Sequence, residues 1–315
     1  MAHISRRDML KGAAIGAAAV VAPSWLSRLA KGDAPAATQP AKPVTITLFN
    51  TGDMHDHCDS LPRIAGFVKA AKAKDPNTLL IDAGDIWNDG NSQLAGTSGE
   101  GIVSLIDKSG YDACTTGNHD YTYGKKRVLE MSAKYAGWPL TLANVNWTDQ
   151  DKPLTKNIAQ YRIFELHGVK VCIAGGACQY GNHVHGEALP LIHEREGYLR
   201  VLPDIRKKAD VFIFISHLWD ASDRRMIAAW GDNAPDLVIG GHTHARNKWV
   251  QGRTTVIKAG FWGQCVGRSV ITYDPAAAKV TEVNCSIIDI GADWPVDPAV
   301  KDLLDSYLKP AQKKT

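Results

Sequence analysis

Three observations predict an α/β fold with more than one sheet. Short, β-rich apolar runs alternate with amphipathic stretches of helical period, the grammar of sheets covered by helices. Acidic, amide and imidazole side chains gather just past the ends of several of those runs. The stretch from 253 to 290 is dominated by strands, which asks for a second sheet rather than a plain doubly wound one.

Taken in order, residues 44–50 form a first strand and 61–74 an amphipathic helix. A run at 78–82, a helix near 100–108, a run at 112–116 and a helix near 125–135 repeat the pattern. Apolar runs follow at 140–145, 161–166 and 169–174, the last two joined through His167-Gly168, a tight-hairpin signal. A charged helix at 194–208, a run at 211–216, a helix ending at Trp230 and a run at 236–240 lead into the strand-rich stretch. One helix is expected near 300–308, and residues 44–309 read as one unit with no second domain after Lys309.

Composition sets outer limits. The 315 residues, 44% of them hydrophobic, suffice for a large core and exclude collagen, coiled coil and wholesale disorder. The net charge of +3 resides in residues 1–36, where five basic side chains face two acidic ones. The remainder is neutral, so no nucleic-acid surface is expected.

That basic segment reads as an address. Ser5-Arg6-Arg7-Asp8-Met9-Leu10-Lys11 precedes a small, apolar stretch at 12–23, shorter than the roughly 20 residues a bilayer requires. Ala34-Pro35-Ala36 supplies a cleavage-type triplet. The pair Arg6-Arg7 resembles a twin-arginine signal, with Met9 where Phe is usual. Residues 1–36 are therefore expected to engage export machinery, with 37–43 as a linker and the periplasm or another exported location as destination. The six cysteines contain no C-x-x-C and fall mostly in apolar runs, so buried thiols are expected.

The chemistry lies at the ends of the runs. Asp53 and His55 follow the first, Asp85 the second, and Asn118, His119 and Asp120 the third. His217 follows the run at 211–216, and His242 and His244 follow that at 236–240. These are positions past the carboxyl ends of strands, where α/β sheets place their ligands. A lone His-x-His after a strand is usually structural, whereas five ordered groups form a site. Oxygen and imidazole donors without thiolate suit Mn, Zn or Fe and exclude calcium-type and iron–sulfur chemistry. Seven such donors exceed one four-coordinate centre and fit two divalent ions. Asp85 is the natural bridging carboxylate.

In order, Gly52-Asp53-Met54-His55, Gly84-Asp85, Gly117-Asn118-His119-Asp120, Ser216-His217 and Gly241-His242-Thr243-His244 resemble the metal-binding blocks of calcineurin-like metallophosphoesterases. Tyr111-Asp112-Ala113, Ala259-Gly260 and Gly267-Arg268 look most like the catalytic domain of 5′-nucleotidases. The resemblance implies a four-layer α/β/β/α sandwich. It implies one ion on Asp53, His55, Asp85 and His244, and another on Asp85, Asn118, His217 and His242. His119 is then the catalytic histidine, oriented by Asp120. The implied reaction is attack of a hydroxide shared by the two ions on a phosphate ester, with His119 as general acid.

The expected substrate is a phosphorylated small molecule, with a protein partner as one source of missing substrate contacts. The alternatives are a sulfur-ester hydrolase similar to thiosulfohydrolases, and a non-catalytic domain that binds metal or a partner. Asp82 reads as a strand-end residue bonded to backbone, Asp56 and His57 as loop residues, and His183 with His185 as a loop rather than a third metal site. Trp87, Trp219 and Trp262 follow site residues closely. Core packing is their ordinary account, and an aromatic rim for a flat leaving group the other.

Overall fold

The computed structural model describes residues 42–87, 94, 96–145, 156–178 and 194–308, excepting the side chains of 194, 195, 197, 200 and 201. The signal, nearly all of the linker and the His183–His185 loop lie outside the described residues.

The chain builds one sheet, crosses to a second and returns. Strands β1 (Val44–Thr51), β2 (Leu79–Asp82), β3 (Ala113–Cys114), β4 (Leu140–Thr141) and β5 (Ile158–Ala159) run parallel, each beside the next. Strands β6 (Tyr161–Leu166), β7 (Val169–Gly175), β8 (Val211–Ser216), β9 (Leu237–Gly240), β10 (Arg246–Gln251) and β11 (Thr254–Ala259) make the second sheet, in the order β10-β11-β9-β8-β7-β6. Strands β12 (Cys265–Asp274) and β13 (Lys279–Asp289) rejoin the first sheet, β12 antiparallel to β1. The strand-rich stretch is thus shared between the sheets, β11 lying in one and β12–β13 in the other.

Side-chain alternation separates the layers. In β8, Val211, Ile213 and Ile215 face a core shared with Ile46, Leu48, Leu79 and Ile81 of the first sheet. Their neighbours Phe212 and Phe214 face outward, onto helices α4 (Glu194–Lys208) and α5 (Asp220–Trp230), through Tyr198, Ile205 and Trp230. On the opposite face Phe49 and Leu80 meet α1 (Leu61–Lys74), α2 (Glu100–Ser109), α3 (Gly124–Lys134) and α6 (Pro298–Leu308). The result is the α/β/β/α sandwich. Each fully buried Leu, Ile or Phe contributes about 1.5–3 kcal/mol, so both sheet faces are strongly held.

Local chemistry fixes the rest. His167 and Gly168, at φ 52° and 78°, make the two-residue turn between β6 and β7. Asp297 caps α6 by accepting from the amides of Ala299 and Val300, and Trp294 stacks on Phe67 of α1 at 3.9 Å. Strands β3 and β4 are shorter than their apolar runs, and after β4 the Leu142 amide still donates to Ala159 O while that of Ala143 crosses to Gly175 O of the second sheet. The cysteines are all free and buried, as the sequence predicts. No helix among the described residues is long and apolar enough to cross a membrane.

Candidate metal centre

The loops after β1, β2 and β3 meet those after β8 and β9 at one end of the sandwich. Backbone bonds set them side by side: the amides of Asp53, His55 and Asp56 donate to the carbonyls of Gly84, Asp85 and Ile86 at 2.8–2.9 Å. The Gly241 amide reaches Ser216 O at 3.0 Å and ties the β8 and β9 loops together. Asp53, His55, Asp85, His242 and His244 all take positive φ, between 47° and 73°. Non-glycine residues held there store strain of order 1–3 kcal/mol each, which the surrounding bonds must overcome.

All seven residues expected as ligands come together. Asp53, His55 and His244 form one group, and Asp85, His217 and His242 another. His55 Nε2 lies 3.0 Å from His244 Nε2 and 3.7 Å from Asp85 Oδ2, while His217 Nε2 lies 3.1 Å from that same Asp85 oxygen. Asn118 Oδ1 is 3.0 Å from His242 Nδ1. A carboxylate therefore stands between two sets of imidazoles.

Outer partners decide which nitrogen each ring offers. His217 Nδ1 donates to Ala83 O at 2.6 Å, and His55 Nδ1 to Trp87 O at 3.2 Å. Each Nε2 is thereby turned toward the cradle, the nitrogen a metal-binding histidine would offer once deprotonated. The buried Nε2 of His242 makes no hydrogen bond, and that of His217 faces Asp85 Oδ2. A Cβ placed on Gly117 would collide with Asp85 Oδ1 and the His217 ring, so that position must stay bare. Thiolate-free donors, opposed imidazole nitrogens and a shared carboxylate fit divalent cations of the Mn, Zn or Fe class.

Electrostatics agree. Burial lowers His55 and His242 to about 4, leaving both neutral and able to ligate near pH 7. Burial also pulls His217 down, but Asp85 and Asp53 outweigh it and raise it to about 10. Burial would raise Asp85, yet His217, His55 and His119 hold it below the usual carboxylate range. Burial pushes Asp53 up to about 7 against the opposing charge of His217. Buried carboxylates that draw a proton onto a neighbouring imidazole call for positive charge, which cations supply when bound.

His119 packs edge-on against His55, ring centroids 4.7 Å apart, and its amide donates to Asp85 Oδ1 at 2.8 Å. The carboxylate of Asp120, expected to orient His119, accepts from the amides of Asp85, Ile86, Trp87 and Gly117 at 2.8–3.2 Å. These bonds shape the Asp85 loop. Asp82 accepts from Thr51 Oγ1 and the Gly84 amide, a strand-end role.

Sequence reasoning missed Lys258. It is 1% exposed, donates to Leu218 O at 2.6 Å and Gly241 O at 3.2 Å, and pairs with Asp220 and Asp223. A lone cation inside the apolar run Thr255-Val256-Ile257-Lys258-Ala259 was the available signal. It fastens the chain after His217 to the chain before His242.

The calcineurin-like phosphoesterase family model matches residues 46–246, a span containing every one of these side chains. The chain belongs to the calcineurin-like phosphoesterases. These are hydrolases acting on phosphate esters. A twin-arginine signal sequence matches residues 3–23, so the protein is exported.

The phosphoesterase is 24% identical over 301 residues to the trifunctional nucleotide phosphoesterase YfkN of Bacillus subtilis, covering 83% of this chain and 20% of that one. The solved YfkN phosphoesterase structure superposes with a TM-score of 0.67 at 20% identity, over 84% of this chain and 97% of that one. A 5′-nucleotidase of Vibrio cholerae is 24% identical over 259 residues, covering 70% of this chain and 45% of that one. The sulfate thiohydrolase SoxB of Thermus thermophilus shares the fold, with a TM-score of 0.70 at 17% identity over 85% of this chain and 61% of that one. The phosphoesterase thus spans less than half the length of either curated relative.

Proposed function

We propose that this exported phosphoesterase holds two divalent ions and hydrolyses the phosphate ester of a small molecule, with His119 as general acid. Residues 44–309 form the catalytic unit in this reading. Asp53, His55, Asp85 and His244 hold one ion, and Asp85, Asn118, His217 and His242 the other. The observation that carries the reading is the meeting of both imidazole sets on the single carboxylate of Asp85. Mn, Zn and Fe all accept these donors.

Two such ions would lower the pKa of a water, orient the phosphoryl group and neutralise its developing charge. The chain's own residues do the rest. Ala83 O and Trp87 O fix the ring orientations of His217 and His55. Asp120 fixes the Asp85 loop through backbone amides, a positioning role. His119, beside Asp85 and His55, delivers a proton to the departing ester oxygen. No protein nucleophile enters the scheme.

Nucleotides are candidate substrates because YfkN and the Vibrio protein carry that chemistry in their names. A protein partner is a source of substrate contacts beyond this chain, and nucleic acid is not an expected partner. The test is hydrolysis of a nitrophenyl phosphate monoester and the matching diester by metal-loaded protein, with His119→Ala and Asp85→Asn alongside. Loss of about 100-fold or more in both variants is expected from removal of an acid and of a bridging ligand. Undiminished turnover in either would sink the reading.

A further inference from the structure

Few large hydrophobic side chains are exposed among the described residues, and the two tryptophans in that group both stand at the metal centre. Trp219 is 60% exposed and Trp262 43% exposed, whereas Trp87 is fully buried and belongs to the core. The Trp219 ring meets His242 edge-on at a centroid distance of 4.5 Å. At the other end of the cradle Phe261 stacks on His244 at 4.6 Å, and Trp262 meets Phe261 edge-on at 4.8 Å.

The rings are held, not loose. The Trp262 amide donates to Asp53 O at 2.8 Å, and His57 stacks on one side of its indole at 4.3 Å. Trp262 takes φ 54°, an outlier for so bulky a residue. Solvent-facing indoles are costly to leave wet, and aromatic surface beside a site gains most from a flat, apolar occupant. Trp219 touches His242 directly and Trp262 reaches His244 through Phe261, and both of these imidazoles are expected to hold the ions. An ester whose phosphoryl group sits on those ions must project its leaving group past one end of the cradle, and each end carries an indole.

We infer that Trp219 and Trp262, one at each end, offer the leaving group an aromatic face at whichever end it takes, and select phosphate esters of flat aromatic alcohols or nucleosides over those of aliphatic alcohols. The inference rests on the phosphoesterase reading of the cradle, and it adds the side chains that choose the leaving group. Stacking on an aromatic side chain contributes about 1–3 kcal/mol per base, so losing a ring reduces the preference by roughly 5- to 100-fold.

Binding and turnover test it separately. Phenylphosphonate and methylphosphonate, which are not hydrolysed, are titrated calorimetrically into metal-loaded wild type, Trp219→Ala, Trp262→Ala and the Trp→Phe counterparts. The wild type is expected to favour the phenyl ligand by at least about fivefold. At least one Ala variant is expected to lose that preference and its Phe counterpart to keep it. An absent preference in the wild type, or one unchanged in both Ala variants, overturns the subsite. The kcat/KM values for phenyl phosphate, adenosine monophosphate and glycerol phosphate then distinguish a simple aryl from a nucleoside leaving group. If the wild type hydrolyses none of the three, the phosphoesterase reading fails while the phosphonate titration still decides the subsite.

Discussion

Lys258 and Asp223 face each other 3.1 Å apart, with side chains no more than 1% exposed, directly behind the loops that carry His217 and His242. A buried pair contributes little net stability against a well-packed apolar replacement, but breaking it leaves a charge stranded. Lys258→Met is therefore expected to cost about 3–5 kcal/mol in chemical denaturation. Lys258→Met combined with Asp223→Leu is expected to recover much of that loss. A single variant as stable as the wild type would refute the pairing.

Gly117 presses its bare Cα against the cradle. Because an added Cβ would strike Asp85 and His217, Gly117→Ala is expected to weaken metal affinity by about 10- to 100-fold, the range for residues that orient ligands. Competition with a chromogenic chelator measures it. An unchanged affinity would mean that Asp85 and His217 are not joint ligands.

Metal-free protein should lose stability as pH rises from about 7 to about 10. His217 titrates near 6.5 when unfolded and is raised to about 10 when folded, so in that window the folded state binds the extra proton. Its contribution is complete below the lower value and is lost as pH passes the upper one. Asp120, which burial and the Asp85 charge push up to about 8, adds the same sign at the lower end of the window. The slope approaches at most about 1.4 kcal/mol per pH unit for each proton. Metal-loaded protein is expected to show a flatter profile, because the ions replace the His217 proton. Equal slopes in urea denaturation of the two forms would contradict this.

The thiols should be silent. Burial pushes Cys58 and Cys172 up to about 12, and the other four cysteines are buried as well. Native protein at pH 8 is expected to resist an aromatic disulfide reagent until it is unfolded, and dithiothreitol is expected to leave its thermal midpoint in place. Rapid labelling of even one thiol in the folded state would be the opposite result.

Much of this was legible in the sequence, for identifiable reasons. Helix α1 spans the same 61–74 that its apolar period marks, and β8 alternates inward isoleucines with outward phenylalanines because both its faces are covered. The metal-type residues were readable because each follows a strand directly. Strand β10 was not, since Arg246, Lys248 and Gln251 give an edge strand no apolar signature. Strand β5 is two residues long, too short for a period. Lys258 was hidden because its partners Asp220 and Asp223 lie on α5, close in space and distant in sequence. The backbone bonds of Asp120 likewise depend on where the Asp85 loop comes to rest.

The shared carboxylate is the centre of the account, and metal stoichiometry reaches it most directly. Elemental analysis of folded protein, equilibrated with Mn or Zn and freed of excess, should give two ions per chain. His244→Ala and His242→Ala should each retain one, and Asp85→Ala should retain fewer than either. A wild type holding one ion or none, or an Asp85→Ala variant that still holds two, would contradict a centre built around Asp85.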